Sequence, residues 1–186
     1  MEPHLMIIGS RKNHSDKDFY ETPCEAIDRL FAFWRPQEDK IWEPCCGRGA
    51  ISEVLKKYGY TVVSTDIEDR GYSWADKMNY LEIDKPLAPF VMTNPPYNRS
   101  FEFVKHTLDT VGKGMFLLRL QWLEGEKRRQ KLFDKHYLKS LFVFSKRIPR
   151  MHVPDYDGKK VSSTIAFGWF LFDKNNKEST TVHWLP

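Results

Sequence analysis

The chain has 186 residues, with 41% hydrophobic and 29% charged side chains, which is enough to bury one sizeable core. No apolar run approaches the length of a membrane span, and the polar, charged N-terminus does not read as a signal peptide, so a cytoplasmic, membrane-free protein is expected. Three cysteines, two of them adjacent, rule out a disulfide framework, and no Cys or His spacing suggests a metal site. The net charge of +4 is unevenly spread. Residues 1–97 sum to −4 and residues 98–186 to +8, and a basic half suits a polyanionic partner or, more plainly, a solvated surface.

In chain order, residues 1–18 are polar and irregular and read as a flexible N-terminal segment, ahead of a single domain over 19–186. Thr22-Pro23-Cys24-Glu25 has the pattern of a capping box, and Ile27, Leu30, Phe31 and Trp34 then share one helical face up to Pro36. Strands are predicted at Lys40 to Glu43, Thr61 to Thr65, Phe90 to Thr93, Met115 to Leu120 and Leu141 to Phe144. Helices are predicted at Ala50 to Tyr58, Ser100 to Val111 and Glu126 to His136. A long β-like run, Thr164 to Phe172, is followed by a short partner near Thr181 to Trp184. Such alternation implies an α/β fold, a mainly parallel doubly wound sheet with a late antiparallel strand.

Ligands of such sheets bind beyond the carboxyl ends of the strands. Three patterns fall there. Glu43-Pro44-Cys45-Cys46-Gly47-Arg48-Gly49-Ala50 follows the first strand and opens a helix. Its two glycines allow a close backbone approach, but a third glycine and a Walker lysine are missing, which argues against a dinucleotide or phosphate loop. Asp66 ends the second strand, where a carboxylate can accept from both hydroxyls of a ribose. Asn94-Pro95-Pro96-Tyr97 follows the apolar run Phe90-Val91-Met92. It answers the problem of alkylating an amino nitrogen whose lone pair is delocalised into a π-system. An Asn carbonyl and a proline-held main-chain carbonyl can accept both N–H hydrogens and aim the nitrogen, and Tyr97 offers a stacking face.

Together these motifs resemble the S-adenosylmethionine-dependent amino-methyltransferases, and more closely the DNA N6-adenine methyltransferases of phages and prophages. The resemblance runs from about residue 16 onward and includes Asp18 to Pro23, Asp66 to Tyr72, Leu118 to Gly125 and Ser145 to Arg150. It implies a Rossmann-like methyltransferase fold, with S-adenosylmethionine as cofactor and methyl transfer to adenine N6 in DNA. Tyr20, Thr22, Pro23, Glu43, Pro44, Cys45, Gly47, Gly49, Asp66, Ile67 and Asn79 would form the cofactor site. Asn94, Pro95, Pro96 and Tyr97 would be catalytic.

Two departures stand out. Asn79-Tyr80-Leu81 replaces an Asp-Phe-Leu common in this group, and only 89 residues follow Tyr97, which leaves no room for a target-recognition domain. Nucleic-acid contact is expected from Lys146, Arg147, Arg150, His152, Lys159 and Lys160, against the alternative of a solvated loop. The basic helix at Glu126 to His136 reads as plain surface, and Cys45 and Cys46 as small packing residues. RNA or a protein glutamine as substrate, and a catalytically inert DNA-binding homologue, are the competing readings. Oligomeric state is left open.

Overall fold

The computed structural model describes residues 21–148 and 165–186. Its strands are β1 (Lys40–Glu43), β2 (Thr61–Asp66), β3 (Ala75–Lys77), β4 (Val91–Thr93), β5 (Lys113–Arg119), β6 (Leu138–Phe144), β7 (Phe167–Asp173) and β8 (Thr181–Leu185). They form one sheet in the order β3-β2-β1-β4-β5-β7-β6-β8. Only β7 runs antiparallel to its neighbours, inserted between β5 and β6. The helices are α1 (Cys24–Phe31), α2 (Ala50–Lys57), α3 (Ser100–Thr110) and the short α4 (Glu126–Arg128). The expected doubly wound Rossmann-like sheet with one late antiparallel strand is what the chain forms.

Side-chain alternation along the strands explains why the sheet is covered on both faces. In β5, Met115 and Leu117 join a cluster with Ile27 and Leu30 of α1 and Val54 and Leu55 of α2. Phe116 and Leu118 point the other way, to Phe103, Val104 and Leu108 of α3. The Trp169 indole of β7 donates to the Ala26 carbonyl of α1 at 2.8 Å, which pins that helix to the sheet.

Three expectations need correction, and one strand had no counterpart among them. The start of α1 is no capping box: the N-cap is Pro23, whose ring has no acceptor, and the Thr22 hydroxyl before it accepts from Asn94 instead. The short β3 has no apolar signature, since its residues are half-buried or exposed, and only pairing with β2 makes it a strand. The helix predicted at Glu126 to His136 changes after α4 into a π-helical turn, Arg129–Phe133, and His136 takes a positive φ of 61°. Finally, β8 pairs in parallel with β6 instead of with β7. The connection from β7 is guided past the start of β6 by Asn176, which donates to the His136 carbonyl at 2.6 Å, and by Thr180, which donates to that of Leu138 at 2.7 Å.

Candidate active site

In this strand order the chain starts in the middle at β1, winds out to β3, and returns to β4. The switch point lies between β1 and β4, and there the loops diverge to leave a crevice. A cavity of about 430 Å³ opens at that edge, within the range that suits a nucleoside-sized ligand. Glu43, Pro44 and Cys45 line it from the end of β1, Asp66 and Ile67 from the end of β2, and Asn79 from the turn beyond β3. Thr22 enters from the start of α1, and Asn94, Pro95, Pro96 and Tyr97 from the end of β4.

Gly47 and Gly49 do not line the cavity but shape its wall. Both have positive φ, 54° and 83°. The Gly47 N–H donates to Asp66 Oδ2 at 2.9 Å, tying the loop after β1 to the end of β2. A Cβ on Gly49 would lie 2.4 Å from the Tyr72 ring, so only glycine lets that ring close over the loop. Pro23 likewise stands back from the cavity as the N-cap of α1. Tyr20, Arg150, His152, Lys159 and Lys160 lie outside the described residues. Lys146 and Arg147 follow β6 on the same edge of the sheet as Asn94, and Arg147 borders a second, smaller recess against Phe167.

Asp66 spends one oxygen on Gly47, and its Oδ1 accepts from the Glu68 N–H at 3.0 Å. A carboxylate has roughly four acceptor positions, so lone pairs remain for a ligand's hydroxyls. Ile67 beside it leaves 53% of its surface exposed, an apolar face suited to cover a planar ring. The Asn79 side chain is partly committed: its Oδ1 accepts from Leu81 N–H at 3.3 Å and its amide nitrogen donates to Glu82 at 2.6 Å.

Asn94 shows the most telling arrangement. Its Nδ2 donates to the Thr22 hydroxyl at 3.1 Å, which fixes the amide's orientation. Its Oδ1 is then a buried acceptor with no partner among the described residues. Such an atom is costly to bury unless a ligand satisfies it. Tyr97 is braced from behind. Its carbonyl accepts from Ser100 Oγ at 2.9 Å, and Ser100 in turn accepts from the Trp122 indole at 2.9 Å.

Burial pushes the Glu43 carboxyl well above the ordinary carboxylate range; the Ser52 hydroxyl that donates to it opposes the shift, and the charge of Asp66 adds to it. Burial also pushes the Cys45 thiol up, and that of Cys46 up to about 12, so neither is a nucleophile at neutral pH. The Glu43 shift has a signed consequence. A raised native value gives stability that is complete below the unfolded value near 4.5 and lost as pH rises through the native one. The melting temperature of the native protein is therefore expected to fall relative to Glu43→Gln as pH increases above 4.5. A difference that stays constant with pH, measured by calorimetry in matched buffers, would show that Glu43 titrates alike in both states.

Sequence reasoning passed over Asn98, Arg99 and Phe103 and held Arg70 and Tyr80 only as parts of longer patterns, yet all five line the cavity. Each stands close in sequence to a recognised motif, and that proximity was the only available signal. Among the described residues no group of His, Cys, Asp or Glu is arranged to hold a metal, and no helix is long and apolar enough to cross a membrane.

The fold is similar to that of solved methyltransferases. A methyltransferase subunit of a type I restriction-modification system from Streptococcus thermophilus matches 85% of this chain at 13% identity and a TM-score of 0.61. The chain spans 45% of that protein's length. The 23S rRNA methyltransferase ErmE matches 84% of this chain and 70% of its own at 15% identity, with a TM-score of 0.56. A SAM-dependent O-methyltransferase from Thermotoga maritima matches 84% of this chain and 67% of its own at 16% identity and a TM-score of 0.51. No family model and no curated protein sequence matches the chain. The chain has the Rossmann-like methyltransferase fold.

Proposed function

We propose that this protein is an S-adenosylmethionine-dependent methyltransferase that modifies the N6 amino group of adenine in DNA. The observation that carries the reading is the buried, partnerless Oδ1 of Asn94, held at the cavity wall by Thr22 and followed by Pro95, Pro96 and Tyr97. S-adenosylmethionine would supply a methyl group made electrophilic by its sulfonium. Asp66 would hold its ribose, Ile67 would cover its adenine, and Thr22, Glu43, Pro44 and Cys45 would border the remainder.

Asn94 Oδ1 and the Pro95 carbonyl accept the two amino hydrogens, which aligns the nitrogen with the methyl carbon. Their negative ends also stabilise the positive charge that develops as the N–C bond forms. Tyr97 stacks against the extruded base, since an adenine inside a duplex must leave the stack to reach Asn94. The extra proton passes to water, so no side chain need act as general base. Residues 19–186 serve as the methyltransferase domain, and within this chain sequence readout falls to loops at the sheet edge, Lys146 and Arg147 among them.

A second reading, RNA as substrate, is favoured by the basic C-terminal half and by the likeness to an rRNA methyltransferase. Label transfer from S-adenosylmethionine to duplex DNA, single-stranded DNA, RNA and protein, with mass spectrometry of the digests, separates the readings. N6-methyladenine in DNA is expected. Label in RNA or protein would replace the substrate, and cofactor binding with no transfer would favour an inert DNA-binding protein.

Thr22 has a separable role. Thr22→Val removes the acceptor that orients the Asn94 amide and is expected to lower kcat about tenfold, the scale of one hydrogen bond, with a smaller change in cofactor affinity. Thr22→Ser should restore turnover. Lost affinity with kept turnover would place Thr22 on the cofactor alone.

A further inference from the structure

Arg119 ends β5 on the edge of the sheet that carries the site. Its guanidinium carbon lies 4.4 Å from the centroid of the Tyr97 ring. Among the described residues its buried Nε has no hydrogen-bond partner and no carboxylate pairs with the group. Two other arginines over aromatic rings each have a carbonyl acceptor. Arg35, over Tyr58, donates to the Phe31 carbonyl at 3.0 Å, and Arg128, over Trp122, donates to the Glu124 carbonyl.

A partly buried guanidinium without an anion is costly, and a ring face offsets only part of that cost. The ring contact also leaves the N–H edge of a five-donor fork unused. That fork matches phosphate in a bidentate manner. Tyr97 lines the cofactor cavity whereas Arg119 does not, which favours an anion from a second ligand. Arg119 sits on the ring against which a target base would stack.

We propose that Arg119 is the phosphodiester subsite of the substrate. With its cation on Tyr97 and its N–H edge on a phosphate beside the target nucleotide, one stacked pair holds both base and backbone. The assignment rests on the nucleic-acid reading above and deepens it by naming the group that grips the strand at the reacting nucleotide.

The test uses the full chain, with Arg119→Gln and Arg119→Lys, and a short adenine-containing oligonucleotide in DNA and RNA forms. Binding is titrated between about 50 and 200 mM salt. Arg119→Gln is expected to weaken binding about tenfold at low salt and to reduce the slope of log K against log salt by about one. Arg119→Lys should keep the native slope with reduced affinity, and cofactor affinity should be unchanged in both. An unchanged slope in Arg119→Gln with reduced turnover would make Arg119 a prop for Tyr97 and overturn the proposal. An unchanged slope with weakened cofactor binding would assign it to the cofactor carboxylate, with the same result. Failure of the native protein to bind either oligonucleotide would remove the nucleic-acid reading itself, and the subsite with it.

Discussion

Asn94→Ala is expected to reduce methyl transfer by about 10²–10³-fold, the cost of one preorganised polar group at a reacting centre, while cofactor affinity stays near native. The reason is geometric. Asn94 Oδ1 is the acceptor left without a partner among the described residues, whereas Asp66, the proposed ribose ligand, ends a different strand. Asn94→Asp is the informative companion. It keeps an oxygen at the same place, and the Thr22 hydroxyl can donate to the carboxylate where it accepted from the amide. Its turnover should therefore exceed that of the alanine variant. Single-turnover kinetics with calorimetric cofactor titration decides the matter. Equal loss of binding and turnover in Asn94→Ala would reduce the residue to a structural turn.

Asp66→Ala should raise the cofactor dissociation constant at least about tenfold, the value of a hydrogen bond to a charged group. The structure adds a second source of loss. Asp66 accepts from the backbone of both Gly47 and Glu68, so its removal also frees the loop after β1. Asp66→Asn keeps one acceptor oxygen and should lie between the two. An unchanged dissociation constant in the alanine variant would put the ribose elsewhere in the cavity.

The parts of the fold legible in the sequence were those whose burial is patterned. β1 and β2 are short, apolar or β-branched, and end where chemistry begins, so their bounds could be read directly. α2 was marked at its end by Gly59, whose φ of 91° terminates it. The failures share a different cause. β3 is held by pairing with β2 alone, and the placement of β8 depends on β7 having taken the slot between β5 and β6. Neither fact has a local signature. At the site, the motif residues announced themselves by type and spacing. The partnership of Thr22 with Asn94 spans 72 positions, and that of Arg119 with Tyr97 joins two strand ends, so only the folded chain could reveal them.

The residue that orients Asn94 stands at the threshold of α1, a helix the sheet does not need for its own pairing. Trp169 fastens the first turn of that helix through the Ala26 carbonyl, while no side-chain cap lies ahead of it. Fraying of the uncapped segment ahead of Ala26 would release Thr22 and let the Asn94 amide rotate, exchanging oxygen for nitrogen at the point where the proposed reaction requires an acceptor. The molecule thus has a means of falling silent that leaves its core intact: heated gently, it would lose activity before it lost its shape.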